Sequence, residues 1–448
     1  MSLNTILKFK PITTIIALAM AGYHFYVVIF GVPSVFYFRG THLLFSLVLI
    51  FLLHPLKNDG SGKQPKRLLD YVFVLFSILC IGHIFVNHDY VLNRFAYVDD
   101  LSPLDLMLGT ILLLLTLEGT RRVIGLALPL TALLFLLYAL LVDRINFGQL
   151  IDQMYLTTEG IFGIPLNVSA TYMVLFILFG ALVERSGTGK LFRDFSLALA
   201  GSSAGGPAKV ACVTSAMFGT VSGSSTANVM TTGTFTIPLM KRIGYRPAFS
   251  GAVEAVASTG GQILPPIMGA AAFVMAEMMG VSYLAVISMA LVPALLYFFA
   301  VFLAVHFEAK RTGLKGLPKP DLPRMLEVLS TRGHQFIPLL IIIGILVLGF
   351  SPPYAAFCGL ISVLPVALLG KTTRREISWK TFTDAMILGI RNSLVVSSAC
   401  ASAGIVIGVI SQTGIGIEFT QLVASGFSRE YMIIALILTA MAGILLGM

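Results

Sequence analysis

The residues best placed to do chemistry lie in two interruptions of apolar sequence. The first, GTVSGSSTANVMTTGTF from Gly219 to Phe235, gathers glycines, serines, threonines and an asparagine between two strongly apolar segments. Hydrocarbon offers such groups no partner, so they persist only where they face protein, water or a ligand. The second lies within VEAVASTGGQILPPIMGAAAFVMAEMMG, Val253 to Gly280, where Gly260 and Gly261 precede Pro265 and Pro266 in the middle of a long apolar run. Proline removes a backbone donor and clashes with the preceding turn, and paired glycines weaken the helix further. An unwound centre with free carbonyls and amides is expected there.

The chemistry open to such breaks is ion binding. A small cation needs a shell of oxygens, which an intact apolar helix does not supply. Half-helix C-termini present carbonyls to a cation, and half-helix N-termini present amides and a positive dipole end to a carboxylate. Ser222, Ser224, Ser225 and Asn228 offer hydroxyl, amide or backbone oxygens; Gly223, Gly260 and Gly261 permit close backbone approach; Thr259 adds a hydroxyl. These eight are the candidate cation set. Ser225, Thr226, Ala227, Gln262, Pro265 and Pro266 are the candidates for holding an anion. Small residues also serve ordinary helix packing in membranes, but here they cluster beside a half-length helix and a second break.

Glu254, Ser258 and Gln262 recur at i, i+4 and i+8, one stripe of the broken helix. Intramembrane carboxylates are functional candidates. Glu254 is therefore either a coupling site for a proton or cation, or a structural residue near the inner interface, since Arg246 lies two turns away. Glu277 is expected at the opposite interface. The four cysteines and seven histidines are scattered, with no CxxC, HxxxH or HxxE spacing, so neither a metal centre nor a disulfide framework is expected. The serines of VSGSS have no base at a spacing that would activate a nucleophile, which disfavours an intramembrane hydrolase.

The elements that must position these residues follow from composition. Of 448 residues, 57% are hydrophobic and 11% charged, and the mean hydropathy is +0.91. That is far from the roughly 25% charged residues of a soluble domain, so an all-α polytopic membrane protein is expected. Apolar windows place about 11 spans near 12–32, 41–55, 69–87, 104–120, 123–142, 167–185, 246–280, 282–307, 335–351, 353–370 and 386–412. The first run follows Lys8 and Lys10 and lacks a small-residue cleavage site, so it reads as a span.

The net charge of +9 resides in connectors. With the N-terminus cytoplasmic, the inner segments collect Lys57, Lys63, Lys66 and Arg67, Arg121 and Arg122, Arg185, Lys190 and Arg193, Lys241, Arg242 and Arg246, the run from Lys310 to Arg332, and Lys371 to Lys380. The outer ones hold little beyond Arg39, Arg94, Arg144 and Arg429. This follows the positive-inside rule, provided that 200–245 enters and leaves on one side. Pro207 to Thr220 and Ala227 to Met240 each reach only about 21 Å as helices, short of a hydrocarbon core of about 30 Å. A re-entrant helical hairpin is predicted.

An internal repeat links the halves. In ALVERSGTGKLFRDFSLALAG (181–201) and GVISQTGIGIEFTQLVASGFS (408–428), Gly187, Gly189 and Phe192 match Gly414, Gly416 and Phe419. Loop charges make the copies inverted, a pattern of transporters with the site at the repeat interface. The first repeat is assigned to 160–310 and the second to 335–448, which stops at Met448 where its hairpin tip would fall; a truncated second repeat is the expectation.

At these residues the chain resembles the membrane component of tripartite ATP-independent periplasmic (TRAP) transporters, specifically the fused permease of the TAXI subgroup. The resemblance rests on GTVSGSSTANVMTTGTFTIPLMKRIGY (219–245) and GAVEAVASTGGQILPPIMGAAAFVMAEMMG (251–280). It implies small-subunit-like scaffold helices with a linking helix over 1–150 and a large-subunit-like transport domain over 151–448. It further implies an elevator-type sodium symporter in the bacterial inner membrane, taking an organic acid from a dedicated periplasmic solute-binding protein. The family's first sodium site would fall on Ser222 to Asn228 and Thr259 to Gln262, with Na⁺ as coupling ion and no other cofactor. A dicarboxylate, a 2-oxoacid or a glutamate-like acid all suit hairpin amides and serines. No GxxxxGK[ST] is present for ATP, and nucleic acid is not an expected partner; lipid surrounds the spans. A channel is the nearest rival, and a pure scaffold has no use for broken helices.

Overall fold

The computed structural model describes residues 11–56, 67–370, 373–375, 377–418, 421 and 432–447. Lys8, Lys10, Lys57, Lys63, Lys66, Lys371, Phe419, Arg429 and Met448, named above, lie outside the described residues. All regular structure among the described residues is helical, and the chain is an all-α polytopic membrane protein: nine of these helices are long and apolar enough to cross a membrane.

In chain order the helices are α1 (Pro11–Phe30), α2 (Val35–Leu53), α3 (Arg67–Val86), α4 (His88–Asn93), α5 (Pro103–Val123), α6 (Ala127–Leu141) and α7 (Phe147–Tyr155). Then come α8 (Ile164–Arg185), α9 (Thr188–Ala200), α10 (Gly206–Ser222), α11 (Ser225–Arg242), α12 (Pro247–Gly260), α13 (Ala270–Met279) and α14 (Tyr283–Arg311). The last are α15 (Met325–Arg332), α16 (Ile337–Val347), α17 (Pro352–Leu369), α18 (Trp379–Thr413) and α19 (Met432–Gly447). A π-helical turn, Ser169–Met173, interrupts α8.

The span expected over 123–142 begins only at Ala127 and is 15 residues long, because Gly125 takes a left-handed φ of +106° that separates it from α5. The last long span instead starts seven residues early, at Trp379, and runs for 35 residues.

The chain falls into two compact units. One takes in Met1–Gly31 and Val168–Ser393, the other Val32–Asn167 and Leu394–Met448. In the second unit the buried charges are paired. Arg94 meets Asp152, with both side chains 2% exposed. Arg122 reaches Asp70 at 2.6 Å and Glu118 at 2.8 Å while its guanidinium lies over the Phe51 and Phe73 rings. Ser102 and Asp105 form a capping box at the start of α5.

The first unit holds a helical hairpin at the predicted place. α10 and α11 pack side by side, and α12 packs on both. The two members of the sequence repeat share a local feature: Gly187 and Gly414 both have left-handed φ, +87° and +71°, which is the backbone that ends α8 and α18.

Candidate functional site

The hairpin turn is tighter than the sequence implied. Helices predicted to stop at Thr220 and restart at Ala227 extend to Ser222 and from Ser225, 17 and 18 residues long, so the connection is only Gly223 and Ser224. Hydroxyls on both sides of the turn bond back to their own helices. Thr220 donates to the Met217 carbonyl at 2.7 Å, Thr231 to Ala227 at 2.9 Å and Thr232 to Asn228 at 2.8 Å. Each satisfies its polar group on its own helix, so the segment stays helical.

Gly223 caps α10 with φ +59°, a conformation that L side chains rarely adopt. A Cβ there would also run into the Met268 carbonyl oxygen. Ser224 caps α11, its hydroxyl accepting the Ala227 N–H at 3.3 Å. The Ser222 hydroxyl lies 3.5 Å from the Ser224 carbonyl oxygen.

The second break runs from Gly261 to Gly269 between α12 and α13. It contains a cis Pro265–Pro266 bond and is closed by the Gly269 N–H donating to the Gln262 carbonyl at 2.7 Å. Tyr283, buried at the start of α14, donates its hydroxyl to the Pro266 carbonyl at 2.9 Å and to that of Ile267 at 2.5 Å. Its ring stacks on Phe273, which stacks in turn on Tyr172 within the π-helical turn. This aromatic column fixes the far side of the break.

The two breaks meet. A Cβ on Gly261 would stand 2.6 Å from the Gly219 Cα and 3.2 Å from the Asn228 side-chain amide nitrogen, so α10 and the start of the second break touch backbone to backbone. Gln262 donates its amide to the Ser225 hydroxyl at 3.2 Å. Buried Asn228 donates to the Ser215 carbonyl at 2.7 Å.

Ser222, Gly223, Ser224, Ser225, Asn228, Gly261 and Gln262 are thus gathered around one turn. Two glycine-pair neighbours point elsewhere. A Cβ on Gly260 would collide with Tyr297 and Phe298 of α14, and the Thr259 hydroxyl folds back on the Ala255 carbonyl at 2.8 Å on an exposed face. Thr226 is exposed and Ala227 half-buried. The oxygens collected at the turn are neutral hydroxyls, amide and carbonyls, a hard-donor set that fits a hard cation better than a soft metal.

Behind this crossing lies Glu254, fully buried. Its carboxyl accepts from Thr232 and Thr236 on α11, from Ser215 on α10 at 3.3 Å and from Ser258 at 3.4 Å. No Lys, Arg or His pairs with it among the described residues. Ser215, Thr232 and Thr236 escaped the sequence reading, although Asn228, Thr232 and Thr236 recur every four residues, the spacing of one helix face. Glu277, expected at an interface, accepts from Tyr172 at 3.1 Å.

Fold and site together define a polytopic membrane protein built around discontinuous helices whose breaks meet. Within that class the chain belongs to the family described as tripartite ATP-independent periplasmic transporter, DctM component, which it matches over residues 111–448. It is 29% identical over 182 residues to the C4-dicarboxylate TRAP transporter large permease protein DctM of Pseudomonas aeruginosa, covering 40% of this chain and 42% of that one. To the isethionate TRAP transporter permease protein DctMQ of Oleidesulfovibrio alaskensis it is 28% identical over 49% of this chain and 34% of the other. To the sialic acid TRAP transporter large permease protein SiaM of Vibrio cholerae it is 25% identical over 52% and 53%. The chain spans about half the length of the curated relatives it matches.

Proposed function

We propose that the chain serves sodium-coupled secondary uptake of a small organic acid across the bacterial inner membrane, with the acid handed over by a TAXI-type periplasmic solute-binding protein. The N-terminus is cytoplasmic, the hairpin is re-entrant, and the repeats are inverted parts of an elevator-type transport domain. The observation that carries this reading is the backbone contact between Gly219 and Gly261, which brings the hairpin turn and the unwound segment together. Discontinuous helices that pair at one point are the usual seat of ion and substrate sites in secondary transporters.

In this reading the oxygens of Ser222, Gly223, Ser224, Ser225, Asn228 and Gly261 supply the Na⁺ shell, and Thr259 and Gly260, which face Ala255 and α14, stand outside it. The amides at the start of α11, with Ser225, Thr226, Ala227 and Gln262, receive the substrate carboxylate, and Pro265 and Pro266, which have no N–H to offer, line the site. Glu254 is the coupling carboxylate. The three relatives carry the names of a C4-dicarboxylate, isethionate and sialic acid; the substrate proposed here is a dicarboxylate, 2-oxoacid or glutamate-like acid.

The test is ion-specific stabilisation of the purified full chain at constant ionic strength. A ligand of the folded state stabilises by about 2.7 kcal/mol at a hundred times its Kd, so NaCl should raise the unfolding temperature where KCl does not. Gly261→Val, which overfills the crossing at about 1–3 kcal/mol, should abolish that sodium effect. Equal stabilisation by both salts, or a sodium effect that survives in Gly261→Val, would overturn the site.

A further inference from the structure

At one end of the hairpin unit sits a buried cation without a counter-charge. Lys209, on the first turns of α10, is only 4% exposed. Its ammonium donates to the Ser203 hydroxyl at 3.2 Å and lies 5.0 Å from the centre of the Phe302 ring on α14. Ser203 donates its own proton to the Ala200 carbonyl, so it serves Lys209 purely as an acceptor. One neutral acceptor leaves two ammonium protons unanswered, a costly arrangement for a desolvated charge.

The surroundings add positive charge instead of removing it. Phe302, His306 and Lys310 recur at i, i+4 and i+8 along the same face of α14. Lys310 acts electrostatically on both Lys209 and His306. The nearest carboxylate on that helix, Glu308, is held by Arg311 at 2.8 Å. Neither Lys209 nor Lys310 has a carboxylate within 4.0 Å among the described residues. Two further polar atoms at this end are buried and unpartnered, the Tyr245 hydroxyl and His306 Nδ1. Tyr245 packs in one cluster with Ala208 and Cys212 of α10 and Val305 and Ala309 of α14. A lysine whose stem is buried can still direct its ammonium toward the headgroup level, and here the ammonium has one hydroxyl and one ring as its protein partners.

We propose that this corner binds the phosphate of an anionic phospholipid. The phosphate answers Lys209 and Lys310, and the acyl chains run along α14, whose Met289, Val292, Leu296, Phe299 and Phe307 are exposed. Basic pockets between membrane helices near the headgroup level are suited to such lipids. The exposed apolar face beside this corner favours a tethered phosphate over a free one.

The experiment is lipid retention by the purified full chain, measured by native mass spectrometry after exchange into mixed phosphatidylglycerol and phosphatidylcholine. The wild type should keep one phosphatidylglycerol. Lys209→Met, which keeps the apolar stem, should lose about fivefold of that retention, and Lys310→Gln a smaller but measurable part. Lys209→Arg should restore it, and it serves with Lys310→Gln as the deciding pair if Lys209→Met fails to fold. Lys241→Gln, at the exposed end of α11, should match the wild type. Unchanged retention in Lys209→Met and Lys310→Gln overturns the proposal. So does full displacement of the lipid by millimolar inorganic phosphate, which would assign the corner to a free anion.

Discussion

The two units bury polar groups in opposite ways. In the unit of Val32–Asn167 and Leu394–Met448, each of three buried acids faces a base: Asp152 with Arg94, Asp70 with Arg122, and Asp105 with His83 at 2.8 Å. In the hairpin unit, Glu254 is as deeply buried but meets only hydroxyls, from residues within α10, α11 and α12, and the oxygens at the two breaks are neutral as well. Paired charges lock helices together, because removing one partner strands the other in low dielectric. Neutral oxygens around a break have no such lock. They can exchange one another for an ion at small expense, which suits a site that loads and unloads.

The largest effect should come from breaking the paired unit. Arg122→Ala leaves Asp70 and Glu118 without their shared guanidinium and should destabilise the chain by about 3–5 kcal/mol. The double variant Asp70→Leu with Arg122→Met should recover most of that loss in the same denaturation assay. If the single and double variants are equally unstable, the ion pair is not what holds α3 to α5. An intermediate effect is expected for Tyr283→Phe, which strips two buried carbonyls of their shared donor and should cost about 1–2 kcal/mol, with a weakened sodium response because the second break loses its fixed side. A normal sodium response in Tyr283→Phe would separate the aromatic column from the site.

The smallest effect on stability, and the sharpest on the comparison, belongs to Glu254→Gln. With no counter-charge to strand, the isosteric amide should change stability by less than about 1 kcal/mol, yet sodium-dependent uptake by the complete transporter with its binding protein should be lost. A destabilisation as large as that of Arg122→Ala would reveal a cationic partner and erase the contrast between the units.

Much of this organisation was legible in the sequence. Apolar length fixed the long helices, and the Gly-Gly and Pro-Pro pairs marked the second break within a residue of where α12 ends. The first break was legible as a place but not as a size. The connection was expected over 221–226, while in the folded hairpin Val221 and Ser222 continue α10 and Ser225 and Thr226 open α11, leaving only Gly223 and Ser224 between them. Gly260 and Gly261, adjacent and chemically identical, have different tasks: one admits the Tyr297 ring, the other the backbone at Gly219.

By itself the sequence determined that this chain lives in a membrane and that two of its helices are interrupted, since both follow from the cost of placing unpaired polar backbone and side chains in hydrocarbon. Only the tertiary structure decided which interruption touches which, that Glu254 is ringed by hydroxyls from three helices, and that Lys209 is buried with a hydroxyl and a ring beside it and, among the described residues, no carboxylate. Those facts depend on side chains far apart in the chain being brought within a few ångströms, and helical periodicity names the face a residue occupies but not the neighbour it meets there.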